Sequence, residues 1–431
     1  MNITIHRGKQ IGGCITEISH GGCKIVIDMG CNLPGSQAKE FGRTEVEQIA
    51  AGADAVFYTH IHGDHLGNFH LVPNNIPQYI GPGAKQVCLA QYNALIKHKP
   101  ELEVTRNIIQ NMRTYEAKCP INVADKNQIT VTPFFISHSA FDAYMFLIKA
   151  GGLKILHTGD FRTHSYLGKG LPQVLDYYVK EVDVLIIEGT MLKRNPTEGF
   201  HTERDIQDWL KKRLKETKMR HGNPFYFALC SSTDVERMAS LFAACQATDT
   251  LFICDRHQKQ LLDIFKTHHG KHASLFDFSG DRCRYFKPNN YNYDLMRKHG
   301  FIMPIRASHF PLVQELQALF PESELIYAMW NGYYKGDATA RKPKIVELVH
   351  LFDEKRIHDI HVSGHAYRET LQEVCRKTKP STAIIPIHRD ADSDFAQLDI
   401  PNELKQRIVT EATDIPTKAL NISFHEVTAS V

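Results

Sequence analysis

Three histidines and one aspartate crowd into six positions of the segment THIHGDHLGN, at His60, His62, Asp64 and His65. Imidazole nitrogens and carboxylate oxygens are donors that zinc and similar divalent ions take, and a catalytic metal site needs several of them plus an open position for water. The apolar run ADAVFY precedes the segment, so a strand ending at Tyr58 would carry His60 and His62 onto one side of extended chain. Gly63 would then permit a sharp turn. With 24 histidines in the chain a chance surface cluster is the bland alternative, but the spacing and the strand-then-loop context favour a ligand loop. Such a loop calls for further donors at other strand ends. Three apolar runs end on them: FFISHS at His138, KILHTGDF at Asp160 and AIIPIH at His388. Open α/β architectures gather ligands at strand termini, although each of the three, taken singly, also fits a satisfied buried polar residue.

The elements that must position these residues alternate short apolar runs with glycine-rich turns: ITEI, KIVIDMG, DAVFYTH, QYIG, ITVTPFFISHS, AYMFLIKAGG, LKILHTGDF and VDVLIIEG. Helical patterns interrupt them over 44–51 and 84–97, which points to an α/β sandwich. From about Met191 the texture changes to a basic helical stretch, ERDIQDWLKKRLKETKMR, followed by a strand-helix-strand unit, the pattern of parallel α/β. After Arg356 the strand IHDIHVSGH, the helix RETLQEVCRKT and the strand STAIIPIH resume the first style. The expected organisation is therefore 1–195, an inserted domain at 196–350, and a return at 351–431.

Bulk properties exclude little. The chain has 431 residues, 42% of them hydrophobic, and 51 basic against 48 acidic side chains. Attraction to a polyanion must therefore come from a local patch or a metal. Ten cysteines without a C-x-x-C pair sit mostly in apolar segments, as reduced thiols of a cytoplasmic protein would. The first residues lack the apolar stretch of a signal peptide, and no segment approaches the roughly 20 apolar residues of a membrane helix. The expectation is a cytoplasmic protein with no membrane partner.

IVIDMG with Asp28, the H-x-H-x-D-H loop, and the later strand-end donors resemble the metallo-β-lactamase superfamily. The resemblance implies an αββα sandwich in which His60, His62 and His138 hold one metal and Asp64, His65 and His388 a second, with Asp160 bridging them and Asp28 bracing the loop. Two ions about 3.5 to 4 Å apart can share an attacking hydroxide while neutralising developing charge. Asp64 would orient that nucleophile. The cofactors implied are two divalent ions, zinc in the first place, with manganese as the alternative.

The long interval between Asp160 and His388 resembles the β-CASP insertion of ribonuclease J and Artemis-type nucleases. Glu188 in VDVLIIEGT stands where that branch carries an acidic motif, His365 in HVSGHA and His388 in AIIPIH where it carries two histidine motifs. The function implied is phosphodiester hydrolysis, with RNA preferred to DNA, in endonuclease or 5′-to-3′ exonuclease mode. An imidazole at His365 would protonate the departing 3′ oxygen, with Glu188 fixing its tautomer. His361, Ser363 and Gly364 in HVSGHA, and Ser231 and Ser232 in LCSSTDVERM, are the candidate phosphate contacts; for the serines, an N-cap role beside Asp234 is an equal alternative. Arg237 could reach phosphate or pair with a carboxylate. Two departures matter. HRD replaces the usual H-G-E after the last histidine, and little chain follows to form ribonuclease J's extra C-terminal domain, which leaves end selectivity and homodimer assembly open. A DNA nuclease of the same branch, a small-molecule ester, lactone or thioester hydrolase, and a catalytically silent nucleic-acid binder are the competing readings.

Overall fold

Alternation along the strands decides what fills the core between the first unit's two sheets. The computed structural model describes residues 1–426 apart from 37, 125–127, 197, 221, 269 and 271, so the last five positions of the expected C-terminal part lie outside the described residues. The chain divides into two compact units, one of residues 1–163, 167–195 and 364–431, the other of 164–166 and 196–363.

In the first unit an eight-stranded sheet runs in the order Thr413–Ile415, Leu420–His425, Asn2–His6, Ile15–His20, Cys23–Ile27, Ala55–Phe57, Gln78–Ile80, Arg113–Thr114. A six-stranded sheet runs Ala383–Ile387, Val184–Glu188, Leu153–His157, Ala143–Ala150, Ile129–Ile136, Ile121–Asn122. Ile25, Ile27 and Phe57 of the first sheet meet Phe146, Ile155 and Ile186 of the second in one core. Their chain neighbours point the other way, because successive side chains alternate between faces. Val26, Val56 and Tyr58 pack under the helices Arg43–Ala50 and Pro82–Leu95. Leu156, Leu185 and Ile187 pack under Leu171–Val174 and Arg368–Thr378. Strands covered on both faces read as continuous apolar runs, which is why these segments stand out in the sequence. The result is the expected helix-sheet-sheet-helix sandwich.

The second unit carries a six-stranded sheet in the order Cys283–Tyr285, Leu251–Cys254, Phe301–Ile305, Phe225–Leu229, Glu324–Tyr327, Ile357–Asp359, with every pairing parallel. Parallel neighbours require crossovers, supplied by helices such as Val235–Ala247 and Phe310–Leu319. One expectation fails here. The segment beginning IHDIH does not resume the first unit; Ile357–Asp359 pairs with Glu324–Tyr327 at the edge of the second unit's sheet. Its short β-rich run suits either sheet, and only the pairing partner distinguishes them. All ten cysteines are free; seven are buried, Cys31 and Cys283 are half-buried and Cys119 is exposed. Among the described residues no helix is long and apolar enough to cross a membrane.

Candidate metal centre

The loop that carries the densest donors is clamped backbone to backbone. Regular strand pairing ends at Phe57, although Tyr58 N still donates to Tyr79 O at 2.9 Å. The sharp turn expected at Gly63 is one helical turn, Gly63–Leu66, closed by Leu66 N to His62 O at 2.8 Å and Gly67 N to Gly63 O at 2.7 Å. The tightest glycine at the loop is Gly30, where an added Cβ would lie 1.7 Å from Asp64 O. Met29 N donates to His65 O at 2.7 Å, Cys31 N to Gly63 O at 3.0 Å, Gly13 N to Asp64 O at 3.1 Å and Asn68 N to Met29 O at 2.8 Å.

Asp28 leaves its strand in left-handed backbone, φ 60°, and turns its carboxylate into the loop. Oδ1 accepts from Thr59 N at 2.7 Å, and Oδ2 accepts from Thr59 Oγ1 at 2.8 Å and His65 Nδ1 at 2.8 Å. With Nδ1 engaged, His65 presents Nε2 to the cluster. The same device recurs elsewhere. His138 Nδ1 donates to Gly364 O at 2.6 Å, and His388, itself left-handed at φ 49°, places Nδ1 2.8 Å from Thr190 Oγ1. Such partners fix the tautomer and aim of a ligating imidazole.

Seven strand-end donors converge in two groups. His60, His62 and His138 form one, and Asp64, His65, Asp160 and His388 the other, with donor atoms within 4.8 Å of one another in each. Asp160 Oδ2 is the hub, 3.0 Å from His65 Nε2, 3.6 Å from His388 Nε2 and 4.0 Å from His60 Nε2. His388 Nε2 also lies 3.2 Å from Asp64 Oδ2 and accepts from Gly12 N at 3.1 Å.

Burial holds the imidazoles of His60 and His138 well below their ordinary pKa, and that of His62 down to about 4, helped by neighbouring histidines. Neutral imidazole is the ligating form. Burial also opposes charge on His65, Asp64 and Asp160, but here the pairings win: carboxylates raise His65, while histidines hold both acids far below the usual range. His60 Nε2 is buried without a hydrogen-bond partner, a costly state that a cation would relieve. The residues thus fit divalent ions, and a set of imidazoles and carboxylates without thiolate suits zinc or manganese.

Beside the cluster, Glu188 is fully buried and accepts at Oε1 from Phe161 N at 3.0 Å and Ala366 N at 3.2 Å, and at Oε2 from Thr190 N at 3.3 Å and His365 Nδ1 at 3.0 Å. His365 stacks on His388 with centroids 5.5 Å apart and keeps 21% of its side chain exposed. Burial opposes its protonation, but Glu188 and Asp160 outweigh that and raise its pKa to about 9. His365 Nδ1 stands 3.6 Å from Asp160 Oδ2, at the rim of the donor set.

The candidate phosphate contacts divide. Gly364 belongs to the first unit, where its carbonyl holds His138 and an added Cβ would lie 2.3 Å from Ser139 Oγ. His361, Ser363, Ser231 and Ser232 belong to the second unit. Ser363 O accepts from His164 Nε2 at 2.8 Å, and Ser231 Oγ lies 3.0 Å from Thr233 Oγ1 before a helix capped by Asp234, whose Oδ1 accepts from Arg237 N. Arg237 is no phosphate ligand: it is buried, with Nε and Nη2 on the two oxygens of Glu203 at 3.0 and 2.9 Å. Sequence reading missed Thr190 and Thr59. Their only signal is position, since each directly follows or precedes a strand-end donor segment.

Residues 24–253 match the family model described as beta-lactamase superfamily domain. Residues 354–398 match that of a Zn-dependent metallo-hydrolase RNA specificity domain, and the two together support the β-CASP-like nuclease branch. No curated protein matches. Among solved structures the chain is similar to a crystal structure of a protein of unknown function from Enterococcus faecalis V583, at TM-score 0.66 and 18% identity over 90% of this chain and 94% of that one. That likeness is one of fold.

Proposed function

Because the chain belongs to the β-lactamase superfamily of metallo-hydrolases, we propose that it is a zinc-dependent ribonuclease, cleaving phosphodiester bonds in endonuclease or 5′-to-3′ exonuclease mode. The observation that carries the reading is the convergence of seven donors, all buried but the half-buried His62, beside an imidazole seated on a buried carboxylate. Divalent ions, when bound there, supply an ionised water at neutral pH and neutralise charge that develops on phosphoryl oxygens. His60, His62 and His138 would hold one ion, Asp64, His65 and His388 the other, with the Asp160 carboxylate between. Asp64 also accepts a hydrogen bond from the attacking water and orients it. His365, fixed through Nδ1 by Glu188, donates its proton to the departing 3′ oxygen.

RNA rather than DNA is favoured by the match over residues 354–398, which spans His361, Ser363, Gly364 and His365. We take the second unit as the β-CASP-like insertion, and the free, mostly buried cysteines as support for the reducing cytoplasm. The test compares 5′-monophosphorylated, 5′-hydroxyl and circular RNA with zinc or manganese present. Cleavage of any of them supports the ribonuclease, and survival of the circle alone assigns the exonuclease mode. Rapid turnover of small esters without nucleolysis would overturn the reading. His365→Ala should slow cleavage strongly at neutral pH and recover on a substrate with a better 3′-side leaving group, which needs less protonation. Equal slowing on both would assign His365 to positioning instead.

A further inference from the structure

The loop that follows the strand Glu324–Tyr327 reads MWNGYYKGDATARKPK, with three aromatic side chains and four cations against one carboxylate. Trp330 leaves 45% of its surface exposed, yet it is not loose. Its six-membered ring lies against Gly332, where an added Cβ would come within 2.3 to 2.5 Å of three ring carbons. Tyr333 meets it edge-on at 5.3 Å, and Tyr327 Oη donates to Trp330 O at 3.0 Å. The loop beyond is latched as well: Tyr334 Oη donates to Asp359 at 2.9 Å, Lys335 pairs with the same carboxylate, and Lys342 N donates to Tyr333 O at 2.9 Å. Lys342 Nζ stands 3.8 Å from the centre of the Tyr333 ring, Arg341 is exposed on the same loop, and Lys344 is exposed in the first turn of the helix Pro343–Val349 that follows.

This loop starts at the C-terminal edge of a parallel sheet, where open α/β folds bind ligands. The neighbouring strand Phe225–Leu229 ends beside it, joined by Ala328 N to Leu229 O at 2.9 Å, and leads into Ser231 and Ser232. A rigid aromatic face with cations around it is the arrangement on which single-stranded nucleic acid lays its bases while its phosphates meet positive charge.

We infer that Trp330, seated on Gly332 and flanked by Tyr333 and Lys342, is a stacking platform for an unpaired base of the RNA substrate. The inference rests on the ribonuclease reading and adds a residue that grips substrate within the second unit. Duplex RNA has no free base to offer, so the platform discriminates for single strands.

The test uses the full chain in a His365→Ala background, which slows cleavage, with a single-stranded RNA oligonucleotide and a blunt duplex of the same length. The chain has two tryptophans, so emission reports directly on the site. Single-stranded RNA should quench emission in the Trp330-containing protein and much less in Trp330→Phe. Trp330→Ala should bind the single strand roughly 5- to 150-fold more weakly and the duplex unchanged. Gly332→Ala, which keeps the tryptophan but displaces its ring, should weaken single-strand binding in the same direction, with circular dichroism checking that each variant is folded. Unchanged affinity and unquenched emission, in a protein that still cleaves RNA, overturns the platform and leaves the ribonuclease standing. Loss of self-association in Trp330→Ala with RNA affinity intact would assign the face to a second copy of the chain. A wild-type protein that neither binds nor cleaves RNA overturns both.

Discussion

Both units place polar side chains just past the ends of their strands, but they treat them differently. In the first, Asp28, His60, His138, Asp160 and His388 are buried, and each of the three orienting contacts at His65, His138 and His388 leaves a second nitrogen aimed inward. In the second, Asp255 and Arg306 consume each other, with His309 Nε2 at 3.1 Å from the same carboxylate, while Trp330 stays exposed. Convergent donors among which a buried nitrogen, His60 Nε2, is left without a hydrogen-bond partner are the mark of a site built for a cation. Cross-paired charges with an exposed ring are the mark of a scaffold that presents a surface.

The contrast is broken most severely at Asp160. Asp160→Ala removes the oxygen around which three histidines gather, and should cost several orders of magnitude in hydrolysis and lower the metal content from about two ions per chain, measured by elemental analysis of protein purified without chelator. Full activity in that variant would remove the two-ion reading. The largest effect in the second unit should be on stability instead. Arg237→Met removes the cation that faces the buried Glu203 carboxylate and should destabilise by about 3–5 kcal/mol in denaturant unfolding, with metal content unchanged. Next comes Asp28→Ala, which keeps every ligand but frees His65 and Thr59, and should lower metal affinity about 10- to 100-fold in a chelator competition.

The smallest effect tests the cross-paired charges. Burial alone would raise the pKa of Asp255, but His309, Arg306 and Gln258 N hold it well below the usual carboxylate value. A depressed folded pKa contributes stability above the unfolded value of about 3.9 and loses it as pH falls. Asp255→Ala, which also removes a helix cap, should therefore destabilise by about 0.5–2 kcal/mol at pH 7, with the difference shrinking as the pH drops below about 4. A constant difference across that range would assign the whole effect to packing.

The donors were legible in the sequence because buried strands write continuous apolar runs, and a histidine or aspartate that ends such a run has few reasons to be there. The sandwich and the parallel second sheet followed from the same runs. What escaped was pairing across distance. Ile357–Asp359 joins a different sheet from the one its texture suggested, and of the two partners open to Arg237 only the folded chain picks out the carboxylate, that of Glu203. Thr190 and Gly364 orient histidines 198 and 226 residues away, through a hydroxyl and a carbonyl that no local pattern marks. Gly30 matters for an approach by Asp64 that only the folded chain reveals.

The clamp around that approach has an entropic consequence. The loop from Gly63 to Asn68 is tied to Gly13, Met29 and Cys31 by main-chain hydrogen bonds that involve no ligand atom. Ordering a residue costs roughly 1–2 kcal/mol of chain entropy, and main-chain bonds that use no ligand atom let folding itself meet that cost. On that basis ion binding should organise side-chain charge without recruiting loop backbone. The amides of Met29, Cys31 and Asn68 should accordingly exchange with solvent slowly in chelator-treated protein, at rates close to those of the metal-loaded form. Fast exchange there, slowed only by added zinc, would mean that the ions build the loop rather than find it.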